Sequence, residues 1–381
     1  MNVKSGKKRK ETAENPDRGQ KFLAPVRKSC HNKEKPDFLR RKYEIFCKEK
    51  FRKTGYPDFL TEKGDVSMDR NLKITIMGAG GIGGLLGGAL IRRYGDAVSL
   101  IARGAREEHI RREGLTLHSE AYGDFTVMPG RVTADPSELP VQDIILVCVK
   151  NGGLEKAAEQ LKPVTGPDTI VLPVMNGVTA GSVLRDRLGP CHVPESVIYT
   201  VSSAEEDFSI TQKGNYTFLY VGAVRPEDLP GAELCVRLLQ DAGIDCRFSE
   251  DIRTSVWTKY LMNCAYNVVT ARWDIPFGKI RADKKLMEDY RLLMEEARKI
   301  GLAEGADLPD GLIEEQIQAL LDRTTDDSTS SLSRDFDQGK VGEMEVFSGE
   351  VIRMADRLGL DVPVTREYDR GLQKRAASFG S

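Results

Sequence analysis

Few folds accommodate the stretch Lys73-Ile74-Thr75-Ile76-Met77-Gly78-Ala79-Gly80-Gly81-Ile82-Gly83-Gly84. Four apolar or β-branched residues read as a buried strand. Gly78, Gly80 and Gly83 then form G-x-G-x-x-G, and Leu85, Leu86, Ala89, Leu90 and Ile91 supply the apolar stripe of a helix. Strand, tight turn and helix in this order are the first unit of a dinucleotide-binding fold. Gly78 permits the turn, Gly80 lets backbone approach a pyrophosphate, and Gly83 lets helix and strand pack closely. The intervening Ala79, Gly81 and Ile82 present their backbone to the same ligand, at a helix N-terminus that carries partial positive charge. The bland alternative is a glycine-rich loop packed on a sheet. The flanking strand and helix favour the nucleotide.

The chain continues to alternate strand and helix. Residues 97–103 read as a second strand, and it ends in Arg103, with Arg106 close by. NAD-preferring sites carry a carboxylate there for the ribose 2′-hydroxyl. A guanidinium suits the 2′-phosphate of NADP instead. Residues 141–150 form a third, almost wholly apolar strand, as buried parallel strands are. Lys150 stands at its carboxyl end, and a fourth strand from Ile170 leads to the polar turn Met175-Asn176-Gly177. Ligands of open α/β sheets bind at such ends. Further strands are expected at 197–203, 209–211 and 216–221, with Gly214-Asn215 turning a hairpin.

After Asp251 the pattern changes to long helical segments: 253–270, 283–301, 312–322, 341–358 and 366–376. The expected architecture is α/β, an N-terminal Rossmann-like dinucleotide-binding domain over 71–250 followed by an all-helical domain over 251–381. Residues 1–70 hold 20 Lys+Arg against 11 Asp+Glu, so they carry +9 and the remainder −11. They read as a basic, disordered extension starting with Lys7-Lys8-Arg9-Lys10, with a short helix near 40–51. An import signal is the sharper alternative for the basic run. The acidic body does not call for nucleic acid as a partner of the folded core. The seven cysteines are scattered, odd in number and without C-x-x-C, and the four histidines lack ligand spacing. These features predict reduced thiols, a cytoplasmic setting and no metal. No apolar run is long enough to span a bilayer, and there is no N-terminal signal core.

Within 257–267, Lys259, Asn263 and Asn267 recur at i, i+4 and i+8. On a helix this sets an ammonium and two amides in one row. Asparagine is a mediocre helix former, so two on one face want a reason. An exposed polar stripe is the ordinary reading of such a row. Downstream come Ser330-Ser331-Leu332, Asp335 and Glu343.

From Lys73 to about Pro363 the chain resembles the ketopantoate reductase (2-dehydropantoate 2-reductase) family. The resemblance rests on Gly78–Gly83, Lys150, Asn176-Gly177, Trp257-x-Lys259-x-x-x-Asn263-x-x-x-Asn267, and Ser331, Asp335 and Glu343. It implies NADPH-dependent reduction of 2-dehydropantoate to pantoate, in pantothenate and coenzyme A biosynthesis. Lys259 would be the general acid, stabilising the charge that develops on the ketone oxygen. Glu343 would orient that lysine or the substrate, Asn263, Asn267 and Ser331 would bind substrate, and Lys150 and Asn176 would face the cofactor. The chain departs from the family pattern at Leu332, Arg334 and Gly342-Glu343-Met344-Glu345, where methionine, glutamine and Thr-Glu-Ile-Asp are usual. The expected partner is a small 2-oxo acid, the candidate assembly a homodimer. Two alternatives stay open: reduction of a different 2-oxo acid, and a non-catalytic NADP-binding regulator of the same fold.

Overall fold

The computed structural model describes residues 72–380. The expected basic extension, its Lys7–Lys10 run and the helix near 40–51 lie outside them. Ten strands follow in order: β1 (Ile74–Met77), β2 (Val98–Ile101), β3 (Leu115–Ser119), β4 (Phe125–Val127), β5 (Arg131–Thr133), β6 (Ile144–Val147), β7 (Ile170–Pro173), β8 (Glu195–Ala204), β9 (Ile210–Gly222) and β10 (Asp245–Phe248). The helices among them are α1 (Gly81–Tyr94), α2 (Ala105–Glu113), α3 (Leu154–Leu161), α4 (Ala180–Leu188) and α5 (Leu229–Asp241).

β1 sits at the centre of an all-parallel sheet ordered β5-β2-β1-β6-β7. Its four residues and those of β6 are all buried, which is why both read as unbroken apolar runs. A second sheet, β10-β9-β3-β4 with β8 on β9, covers the other side of α1. The helix is therefore enclosed between two sheets, and its glycines follow from that. A Cβ at Gly84 would lie 2.5 Å from Ile210 Cγ1, and one at Gly87 3.1 Å from Leu100 Cδ2. Glycine at these positions lets both sheets close on the helix. Leu85, Leu86 and Leu90 are fully buried there, each contributing about 1.5–3 kcal/mol.

One expectation is corrected. Gly214-Asn215 does not turn a hairpin, because β9 runs through it from Ile210 to Gly222. The turn between β8 and β9 lies at residues 205–209, where Glu205 N donates to Ser209 O and Phe208 takes a left-handed φ of 70°. Residues 214–217 instead bulge between the pairs Val201/Lys213 and Tyr199/Phe218. The Gln212 side-chain amide holds the bulge, donating to the carbonyls of Gly214 and Tyr216.

No strand follows Phe248 among the described residues. The helical part comprises α6 (Ile252–Trp273), α7 (Phe277–Ala282), α8 (Lys284–Ala303), α9 (Leu312–Arg323), α10 (Ser331–Asp337), α11 (Glu350–Leu358) and α12 (Pro363–Ala376). The continuous helix expected over 341–358 is also corrected: residues 341–343 are not helical, and a π-turn, Glu345–Gly349, leads directly into α11. Asp251 caps α6 by accepting from Thr254 N. Fourteen of the 22 residues of α6 are buried, since α8, α10, α12 and the π-turn surround it. The buried Glu296 carboxylate accepts from the Val364 and Thr365 amides and caps α12. Among the described residues no helix is long and apolar enough to cross a membrane, and no His/Cys/Asp/Glu group could hold a metal ion.

Candidate active site

The α/β part brings a glycine turn to one end of the site. Gly78 adopts φ 103°, and its amide donates to Ile101 O. A Cβ at Gly83 would collide with Gly78 O, so strand and helix meet there at backbone distance. A Cβ at Gly80 would have nothing within 4 Å, and α1 has no side-chain cap on its first turn. A helix N-terminus without a side-chain cap, with open space beside Gly80, is a fit for a pyrophosphate. Ala79 is buried beneath the turn, and Ile82 packs against the adjoining core. Gly81 abuts β8, its would-be Cβ 2.6 Å from Ser202 O.

At the end of β2, the Arg103 guanidinium donates, among the described residues, only to the neutral amide of Gln160. Arg106 is committed elsewhere: it donates to Phe208 O at 2.9 Å and Glu205 O at 3.2 Å and so secures the tip of the β8–β9 hairpin. Of the two arginines, Arg103 is the one open to a phosphate.

β8 connects this end to the other. Four residues before Ser202, Ile198 O accepts a hydrogen bond from Lys259 Nζ at 2.6 Å. Four residues of strand span about 13 Å. Lys259 also donates to Asn176 Oδ1 at 3.2 Å. The same amide, through Nδ2, donates to Glu343 Oε2 at 3.0 Å. Lys259 and Glu343 are thus joined through Asn176. The other carboxylate oxygen of Glu343 accepts from Asn151 N (3.4 Å) and Asn151 Nδ2 (3.3 Å). Asn151 Nδ2 also donates to Asn176 O at 2.8 Å, fixing the turn. Gly177 completes that turn with φ 99°, a conformation that favours glycine.

Burial pushes the Lys259 ammonium down to about 8, and the negative charge of Glu343 opposes part of that fall. The Tyr199 ring centroid lies 5.5 Å from Nζ. A lysine has three donors and two are used, and Lys259 lines a narrow cleft of about 10 Å³ together with Met175, Asn176, Val197, Tyr260 and Asn263.

The rest of the α6 row differs in kind. Asn263 lines the cleft, whereas Asn267 is buried with both ends of its amide hydrogen-bonded. Its Oδ1 accepts from Ser331 Oγ at 3.1 Å and Leu332 N at 3.2 Å, and its Nδ2 donates to Asn263 O at 3.0 Å. Thr270, one turn on, donates to Ser330 Oγ at 2.7 Å. The asparagine therefore holds α10 against α6, and with it the exposed Ser331. Lys150 is paired with Asp335 of α10 at 2.8 Å. A cofactor contact by Lys150 would compete with that ion pair. Of the departures from the family pattern, Leu332 and Met344 are buried, while Arg334 is exposed and donates to Thr329 O.

Reasoning from the sequence missed Asn151, Ile198 O and Tyr199. Asn151 directly follows Lys150 at the strand end, which was a usable signal. A backbone carbonyl sixty-one residues from its lysine had none. A larger hollow of about 340 Å³, lined by Ile110, Arg111, Met128 and Arg131, lies apart from all these groups.

The ketopantoate reductase PanE/ApbA model matches residues 74–226, and its C-terminal counterpart matches 251–367. A 2-dehydropantoate 2-reductase of Mesorhizobium japonicum is 28% identical over 300 residues, covering 74% of this chain and 90% of that one. One of Archaeoglobus fulgidus is 26% identical, covering 77% and 94%. The crystal structure of a PanE/ApbA family ketopantoate reductase from Ralstonia eutropha superposes with a TM-score of 0.73 at 28% identity, over 81% of this chain and all of that one. A D-mandelate dehydrogenase bound to NADH and anilino(oxo)acetate shares the fold, with a TM-score of 0.74 at 18% identity, over 81% and 99% of the two chains. With both family models spanning the two halves that build this site, the chain belongs to the ketopantoate reductase family of oxidoreductases, which act on the C=O/CH–OH couple.

Proposed function

We propose that the protein reduces 2-dehydropantoate to pantoate with NADPH. The observation that carries this reading is the Lys259–Asn176–Glu343 chain, suspended from β8 about 13 Å from the glycine turn. When bound, NADPH supplies the hydride. The protein's part is to receive the charge left on the ketone oxygen. Lys259 directs its third N–H at that oxygen and gives it a proton. Its lowered basicity makes the transfer easier, and Glu343 keeps enough of the lysine charged near neutrality. Asn176 transmits the position of one group to the other. Asn263 and Ser331 bind the substrate's carboxylate and hydroxyl groups, while Asn267 fixes Ser331. Gly78–Gly83 hold the pyrophosphate and Arg103 the 2′-phosphate. Residues 71–250 act as the nucleotide domain and 251–381 as the substrate domain.

Arg334 favours a second reading, reduction of a different 2-oxo acid. It carries charge beside Ser331, and its side chain donates to a neutral carbonyl. NADPH absorbance followed against 2-dehydropantoate, 2-oxoisovalerate, 2-oxoglutarate and phenylglyoxylate tests both. The highest kcat/KM with 2-dehydropantoate supports the proposal. A preference for a dicarboxylate moves the assignment to the second reading, and no turnover with any of them removes the enzyme reading.

A further inference from the structure

The helical part contains a π-turn, and it adjoins the site. In the π-turn Glu345–Gly349, the Glu350 amide donates to Glu345 O. In an α-helix that amide would serve Val346 O. The bulge therefore deprives the Val346 carbonyl of its usual partner, and single π-turns of this kind recur at functional sites. Here the carbonyl accepts from the hydroxyl of Tyr260. Tyr260 is buried, directly follows Lys259 on α6, and sets its ring edge-on against Trp257 at 5.4 Å. On the other side of the bulge, Val346 N donates to Glu343 O at 2.9 Å. The Val346 side chain would lie 3.3 Å from a Cβ at Gly177, so the bulge also rests on the Asn176-Gly177 turn.

We propose that Tyr260 is a positioning residue for catalysis: its phenol anchors the π-turn and so sets the reach of Glu343 toward Asn176 and Lys259. The inference rests on the site reading above and adds to it the device that fixes the distance between its two charged groups. Glu343 is tied to the π-turn through Val346 N, whereas Lys259 is held by Ile198 O, so a loosened π-turn lets the carboxylate drift while leaving the lysine in place. The groups facing the phenol are Cys264 on α6 and Glu350 and Arg353 on α11. Burial holds the phenol far above its usual range, so it remains a donor throughout the working pH. Those facing Lys259 are Glu343, Asn176 and the Tyr199 ring.

The experiment is Tyr260→Phe, compared with Tyr290→Phe. Tyr290 is equally buried in the helical core, and its hydroxyl has no hydrogen-bond partner among the described residues. For Tyr260→Phe we expect kcat about tenfold lower, less than the 10²-fold that a 1 Å misplacement can cost. The alkaline limb of the pH profile, set by Lys259, should move to lower pH, with NADPH Kd unchanged. Adding Tyr260→Phe to Glu343→Gln should change neither kcat nor the limb further, because the tyrosine acts through the glutamate. Tyr290→Phe should match the parent protein. A Tyr260→Phe protein with a lower Tm but an unmoved limb and kcat overturns the inference. So does one that fails to fold where Tyr290→Phe folds, since the phenol then serves the fold alone. If Lys259→Ala itself retains turnover, the site reading fails. If Lys259→Ala and Glu343→Gln are both impaired and Tyr260→Phe is not, only this inference does.

Discussion

The two halves of the molecule give the site different kinds of group. Around Lys259 the α/β half supplies neutral ones, the carbonyl of Ile198 and the side-chain amides of Asn151 and Asn176, and its charged Arg103 stands apart at the end of β2. The helical half supplies the groups that titrate, Lys259 and Glu343. Neither half holds a reacting arrangement alone. The difference has a physical basis. The first sheet of the α/β half consists of buried parallel strands, where an unpaired charge would be costly and backbone groups at strand ends are free. The helical half carries the lysine on α6 and the glutamate in the turn before Glu345, and the Asn176 amide of the other half joins them. A neutral amide between the charges keeps them from neutralising each other by direct contact.

This division predicts which function each substitution harms. The largest effect belongs to Lys259→Ala, which should cost about 10²-fold or more in kcat while leaving NADPH affinity nearly unchanged. Steady-state turnover together with a fluorescence titration of NADPH decides it, and near-normal turnover would collapse the distinction between the halves. Next is Asn267→Ala, wholly inside the helical half. It strips partners from Ser331 Oγ and the Leu332 amide and should cost about 1–3 kcal/mol of stability in denaturant unfolding. KM should rise, because Ser331 loses its support, while kcat changes little. An unchanged unfolding midpoint would mean that the amide acts on substrate and not on α10.

Arg103→Ala probes the opposite half. Losing a charge-assisted contact should weaken NADPH about tenfold and NADH hardly at all, with kcat preserved. Equal losses for both cofactors would remove the 2′-phosphate assignment. The smallest effect is a shift of profile. A general acid must be protonated, so kcat/KM should fall as pH rises through the Lys259 value near 8. Glu343 raises that value, so Glu343→Gln should move the fall to lower pH. Movement to higher pH would contradict the charge arrangement.

Much of the fold was legible because it rests on local patterns. Buried parallel strands are continuous apolar runs, and β1, β6 and β7 lie where those runs are. The change to helices after Asp251 is a change of period, visible without tertiary information. Other features were not legible for identifiable reasons. Gly214-Asn215 carries the local chemistry of a turn, yet cross-strand pairing with β8 and the Gln212 amide make it a bulge. The glycines at 84, 87 and 88 follow the nucleotide loop in sequence, but packing explains them: Gly84 and Gly88 face the second sheet and Gly87 the first.

The sequence alone determined the chemistry available: a glycine turn, an arginine where a carboxylate would serve NAD, and a lysine in helical register with two asparagines. Side-chain identity and spacing along one helix are local properties, so they can be read from the chain. Tertiary structure alone decided how those groups are used. It joined Lys259 to Glu343 through Asn176, across 83 and 167 residues of chain, and turned Asn267 inward to hold α10. It also matched the orphan carbonyl of a π-turn to the phenol of Tyr260. Each of these depends on which buried polar group finds which partner when separate elements pack, and that is settled only by the packed arrangement.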